Sequence, residues 1–170
     1  SLSVIYISSV LIIGSKLSKT NKLLFARSFA CFLITFLILY HVGHLYYNTW
    51  VINKRLPLHL CAISHVISCV ILFSPKKQYL FDVLFYCGVV GGLQAILTPL
   101  IDDYIGVKFF YFEYYISHSS IIAFPLYLFY VLKMKLSKFS WLKAFIFLNI
   151  LMIFIMPLNF LIDSNYMYLS

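Results

Sequence analysis

Six long apolar runs, separated by short connections that carry nearly all the charge, constrain this 170-residue chain more than any other feature. The runs cover residues 2–14, 23–47, 56–73, 79–101, 114–132 and 141–162. A helix that crosses a bilayer needs about 20 predominantly apolar residues. Only 11% of the residues are charged, against about 25% in soluble domains, too few to cover a water-facing surface. The backbone is satisfied inside a bilayer only by helices or by a closed barrel, and barrel strands alternate apolar and polar residues. These runs are continuously apolar. They predict an all-α, polytopic transmembrane helix bundle of about six spans, one domain over 1–170. The first span is short, and the chain opens at Ser1 partway into an apolar run, so a helix trimmed at its start is the expectation. That run has neither the basic segment nor the small-residue site of a signal peptide.

The distribution of Lys and Arg sets the orientation. The odd-numbered connections and their flanks hold ten of the thirteen basic residues, among them Lys16, Lys19, Lys22, Lys76, Lys77, Lys133, Lys135 and Lys138. The other side holds Lys54, Arg55 and Lys108, among Asp102, Asp103, Glu113 and Asp163. Both termini are therefore expected to face outward. The net charge of +8 falls between spans, where it faces an anionic membrane surface, and nucleic acid is not expected as a partner. Cys31, Cys61, Cys69 and Cys87 all lie within apolar runs, with no CxxC and no zinc-type spacing, so neither a disulfide framework nor a metal site is expected. In the fourth run Gly88 and Gly92 are four apart, a small-residue face that lets two helices approach closely. The sequence leaves open whether the partner lies in this chain or in a second copy.

Polar residues inside spans are costly and mark functional sites. Counted from the outer ends of the expected spans at 1.5 Å per residue, Cys61 lies about 7 Å deep, His118 about 6 Å and Gln94 about 10 Å. His41 and His44 lie near the outer end of span two and Asn159 near that of span six. Five helices thus bring polar groups to one layer just below the outer surface. On span three Cys61, Ser64, His65 and Ser68 form one stripe, with His59 roughly opposite Cys61 unless Pro57 alters the first turn. On span five Tyr111, Tyr114, Tyr115 and His118 form another. Asp82, near the inner start of span four, has a capping or snorkelling role open to it.

At Leu56-Pro-Leu-His-Leu-Cys61 the sequence reaches a distinctive string. Gly91-Gly92-Leu-Gln94, Thr98-Pro99, Phe112-Glu-Tyr-Tyr-Ile-Ser-His118, Asn159 and Asn165-Tyr-Met-Tyr-Leu169 follow in order. Over about 56–169 the chain resembles the YwaF-type family of bacterial integral membrane proteins. These are similar to the eukaryotic transmembrane acyltransferase family that acts on ether phospholipids, and more distantly to the androgen-induced-gene type of membrane hydrolase. The resemblance implies a Cys nucleophile at Cys61, a His base at His118, and a membrane phospholipid or lysophospholipid as substrate, without a cofactor. Where the family often has a Phe-Pro-containing loop, this chain has 101–108. The Ile, Lys, Phe, Tyr and Asn content fits an AT-rich bacterial genome, and hence the bacterial cytoplasmic membrane.

In the chemistry this implies, Cys61 attacks an acyl ester while His118 takes the thiol proton. Gln94 and Asn159 are candidate oxyanion donors, with His59 a third, and His65 and His44 lie in the same pocket. A rival reading is a membrane solute-binding or transport subunit with an outward-facing polar pocket, partnered by an energising complex. Cys61 separates the two, because acyl transfer needs its sulfur.

Overall fold

The computed structural model describes residues 2–99 and 106–169, and among these the chain forms seven α-helices and no strand. They are α1 (Leu2–Lys16), α2 (Lys19–Tyr46), α3 (Ile52–Arg55), α4 (Leu60–Val70), α5 (Lys77–Leu97), α6 (Lys108–Tyr130) and α7 (Ser140–Ile162). Short 3-10 turns at Ile71–Phe73 and Tyr166–Tyr168 complete the order. Every expected span corresponds to one helix. By length and composition α2, α5 and α7 are apolar enough to cross a membrane, while α1 and α4 with its 3-10 extension are shorter apolar helices.

Large apolar side chains cover much of the outside of the bundle, while several polar groups are buried beside its apolar core. Phe160 is 90% exposed, Leu161 76% and Phe154 70%. His44, Ser64, Ser68, Asp82, Ser120 and Asn159 are buried. In water this arrangement would cost heavily, whereas in lipid it is the stable one. Helix α6 is the hub and packs against α1, α2, α4 and α5, with α7 outside against α5. Phe29, Phe124, Tyr127, Phe81 and Leu84 fill the middle.

Two helix starts differ from the expected spans, and both differences matter for the site. Pro57 cannot donate to a helix and disfavours the helical region at Leu56. Leu56 and His59 are extended (ψ 144° and 148°), and α4 begins only at Leu60. Helix α6 begins at Lys108, six residues earlier than expected, so His118 lies about 15 Å along it rather than about 6 Å. The outer end of the fourth expected span, residues 100 and 101, lies outside the described residues, as do Asp102 and Asp103.

The Gly88/Gly92 face meets α6 of the same chain. A Cβ on Gly88 would stand 2.8 Å from the Ile121 carbonyl oxygen, and one on Gly92 would stand 2.9 Å from that of His118. The close approach signalled by the small-residue spacing is thus made within the chain, and a second copy is not needed to explain it. Pro125 contributes here. It supplies no N–H to Ile121 O four residues earlier, so the usual helix hydrogen bond does not occupy that carbonyl.

At the other end of the bundle Asp82, fully buried, ties α5 to the α6–α7 connection. Its carboxylate accepts from Gln78 Nε2 (3.0 Å), the Ser137 backbone N–H (3.0 Å), the Ser137 hydroxyl and Lys143 Nζ (3.1 Å). Asp82 is therefore a staple rather than a cap. Asp82→Ala strands several donors around a buried hole and is expected to cost about 2–3 kcal/mol. Thermal unfolding in detergent checks this, with a fall of roughly 5–10 °C expected.

Candidate active site

A cavity of about 530 Å³ opens at the end of the bundle where the α2–α4 connection and the C-terminal turn meet. Its volume falls within the range of small-molecule sites. Cys61, His118, His59, His65, His44 and Gln94 all line it. These residues come from α2, α4, α5 and α6 and the Pro57 segment, so six of the seven expected site residues share one space.

Helix α6 offers the cavity one continuous face: Phe110, Glu113, Tyr114, Ser117, His118 and Ile121, spaced at i, i+3, i+4, i+7, i+8 and i+11. Tyr111, expected on the same stripe as His118, instead lies 43% exposed off that face. Within the face His118 is held firmly. Its Nδ1 lies 2.7 Å from the Tyr114 carbonyl oxygen, and the Tyr114 ring packs 4.1 Å from the imidazole. A carbonyl only accepts, so Nδ1 carries the proton and Nε2 of the neutral ring is an acceptor. The Tyr114 hydroxyl donates to Ala95 O at 2.9 Å, anchoring that turn of α6 on α5. The orienting group that an imidazole base requires is thus a backbone carbonyl, that of Tyr114.

The other histidines are tied elsewhere. His65 Nε2 donates to Leu33 O at 2.9 Å, joining α4 to α2. His44 is 1% exposed and stacked 4.1 Å from the Phe110 ring. Its Nδ1 donates to Thr49 Oγ1 (2.7 Å), whose own hydrogen goes to His44 O. His44 therefore packs the α2 end. His59 Nδ1 accepts the Met167 backbone N–H at 3.3 Å.

Cys61 stands in the first turn of α4, whose start has no side-chain cap. The opening amides of a helix lack intrahelical acceptors and point outward with the positive end of its dipole. Helix α4 and its 3-10 extension span only about 22 Å, against a hydrocarbon core of about 30 Å. Adjacent residues of α5, Gly91 and Gly92, lie against Cys61 and against the His118 backbone respectively. The late helix start thus compensates for the early start of α6, and Cys61 comes level with the middle of that helix.

Neighbouring glycines on α5 provide the bed for both residues. A Cβ on Gly91 would stand 3.6 Å from Cys61 Sγ, while Gly92 abuts the His118 backbone. Gly91→Ala makes only an ordinary van der Waals contact. It is expected to keep the melting temperature within about 2 °C and to slow alkylation of Cys61 several-fold by crowding the sulfur. Timed alkylation with mass readout checks both.

Asn159 lies outside this cavity. Its Nδ2 donates to Tyr166 O (2.9 Å), and its Oδ1 accepts from Tyr166 N (2.9 Å) and Ser164 Oγ (2.8 Å). It holds the C-terminal turn and does not face Cys61. Gln94 is exposed at the cavity rim. Of the two small hydroxyls on the α4 stripe, Ser68 donates to Ser64 O at 2.8 Å. Glu113 and Arg55 are cavity residues that charge counting had assigned to the surface. Both are buried, Glu113 accepting from Ser117 Oγ and Arg55 donating to Tyr40 at 3.2 Å. The helical spacing of Glu113, Ser117 and His118 was the available signal, and it was hidden by starting span five at Tyr114. Among the described residues, no three His, Cys, Asp or Glu side chains come together as a metal-holding group.

The sequence model of the TMEM164 family matches residues 1–170, the whole chain. No curated protein and no solved structure matches it.

Proposed function

This chain belongs to the TMEM164 family, and from that premise we propose that it transfers acyl groups from glycerophospholipid esters through a thioester on Cys61. The observation that carries this reading is a thiol at an uncapped helix start sharing one cavity with an imidazole whose acceptor nitrogen is fixed. Cys61 Sγ attacks the ester carbonyl as His118 Nε2 takes the S–H proton. The opening amides of α4 supply donors for the negative charge that develops on the carbonyl oxygen, a role the sequence offers to Gln94, Asn159 and His59. The C–O bond breaks, and the leaving lysophospholipid oxygen takes the proton from His118. A second hydroxyl, of a lysophospholipid or of water, then attacks the thioester, gives its proton to His118, and releases the thiolate, which is reprotonated.

With the ten basic residues facing inward, the cavity mouth lies on the outer side, and an acyl ester reaches Cys61, level with the middle of α6, by entering through that mouth. The finer assignment, to YwaF-type proteins of the bacterial cytoplasmic membrane, rests on motif order and composition alone. In vesicles containing a phospholipid with a labelled acyl chain and an unlabelled lysophospholipid, the label is expected to move to the lysophospholipid or to free fatty acid. Cys61→Ser is expected to slow this by more than ~10³-fold. Retention of the rate in Cys61→Ser overturns the reading.

The second reading is a solute-binding subunit. The buried Arg55 and Glu113 that line the same cavity suit a small zwitterion. On that reading Cys61→Ser leaves ligand retention unchanged, and no label moves in either protein.

A further inference from the structure

The C-terminal turn takes no part in the chemistry proposed above, yet it is built against the segment that delivers Cys61. Asn159 clamps both the N–H and the carbonyl of Tyr166. The turn leaves α7 through Asp163 (φ 50°) and passes Met167 (φ 57°), left-handed conformations that non-glycine residues keep only where surrounding contacts enforce them. Tyr166 is fully buried. Its hydroxyl donates to Ile52 O and accepts the Leu56 N–H at 2.9 Å. One residue on, the Met167 N–H reaches His59. Tyr166 lies outside the spans. Burial pushes its hydroxyl up from the ordinary phenol value against the opposing pull of the Leu56 N–H and Arg55, so it stays protonated and able to donate to Ile52.

Leu56 and His59 bracket the extended stretch that Pro57 keeps out of the helix. One residue later α4 begins, and Cys61 is its second residue. We propose that Tyr166 is a positioning residue, which through Leu56 fixes where α4 starts and so where the Cys61 thiol stands in the cavity. Asn159 acts through Tyr166, which gives a purpose to the Asn165-Tyr-Met-Tyr-Leu169 string. The catalytic consequence rests on the acyl-transfer reading, whereas the placement of the thiol does not.

The test uses the full chain in phosphatidylcholine vesicles, with the exposed Cys31 replaced by Cys31→Ser. Tyr166→Phe keeps the ring and removes only the hydroxyl. Tyr86→Phe, which removes a hydroxyl bonded to Ser140 at 3.1 Å between α5 and α7, is the control for loss of a hydroxyl contact elsewhere. N-ethylmaleimide labelling of Cys61 is timed by mass, and p-nitrophenyl palmitate supplies a chromogenic acyl donor. Tyr166→Phe is expected to change the Cys61 labelling rate at least fivefold and to lower kcat about tenfold, with KM within about twofold. Tyr86→Phe is expected to change neither. Labelling of Tyr166→Phe at the wild-type rate, or an equal change in Tyr86→Phe, overturns the proposal. A changed labelling rate with no ester turnover in any protein upholds the positioning role and overturns acyl transfer instead.

Discussion

His118→Ala is expected to slow acylation of Cys61 by 10²–10⁴-fold, the usual contribution of a positioned base, or about 3–5 kcal/mol of barrier. The size follows from geometry. Without the imidazole the thiol proton loses its acceptor, and the other cavity imidazoles are tied elsewhere: His65 donates its Nε2 hydrogen to Leu33, His44 is packed against Phe110, and His59 Nδ1 accepts the Met167 N–H. The acceptor nitrogens of His65 and His44 are set by α2 and α4 contacts, whereas that of His118 is set by Tyr114 O. Because the bond to Tyr114 is local to one turn of α6, the variant should retain its fold, with a melting temperature within about 3 °C of wild type. Single-turnover release of p-nitrophenol in vesicles measures the rate. An unchanged rate removes His118 from the chemistry.

Gly92→Val is expected to destabilise the bundle strongly. A Cβ at this position would lie 2.7 Å from Ile122 Cγ1, 2.9 Å from His118 O and 3.0 Å from Ile121 Cγ1. An isoleucine side chain can rotate, but the His118 carbonyl is backbone and cannot. Helices α5 and α6 must therefore move apart. Overpacking of this kind costs typically 1–3 kcal/mol, and valine's two further methyl groups put it at the upper end. For a chain of this size the melting temperature should fall by roughly 5–10 °C. Activity should fall with it, because the carbonyl that moves belongs to the residue bearing the base. Gly91→Ala, one position away and open to 3.6 Å, is the control for stability alone, because it crowds the Cys61 sulfur.

The helices were legible in the sequence because uninterrupted apolar runs of bilayer length have few alternatives. The two misplaced helix starts have physical causes. Pro57 lies inside an apolar run, and hydropathy is blind to its missing N–H. Lys108 and Glu113 broke the fifth run on paper, yet Glu113 is buried against Ser117 in the folded chain. The two depth errors offset each other: Cys61 begins its helix late, His118 stands well along its own, and both reach one cavity. The partner of the Gly88 face was not legible, since small-residue spacing records close approach but not what approaches. The role of Asn159 was misassigned for a similar reason. An amide near a helix end can face a pocket or clamp the chain that follows, and only the fold of 164–169 decides between them. The tautomer of His118 had no sequence signal beyond the four-residue spacing to Tyr114, which every helix provides.

The most direct measurement on the central claim is the mass of the protein itself during reaction. Wild type in phosphatidylcholine vesicles is mixed with p-nitrophenyl palmitate, quenched in acid within seconds, and read by intact mass and peptide mapping. The account predicts one added palmitoyl group, located on Cys61, removed by neutral hydroxylamine as a thioester must be, and absent from Cys61→Ser. Ester turnover with no adduct on Cys61, or the same adduct surviving in Cys61→Ser, would contradict it.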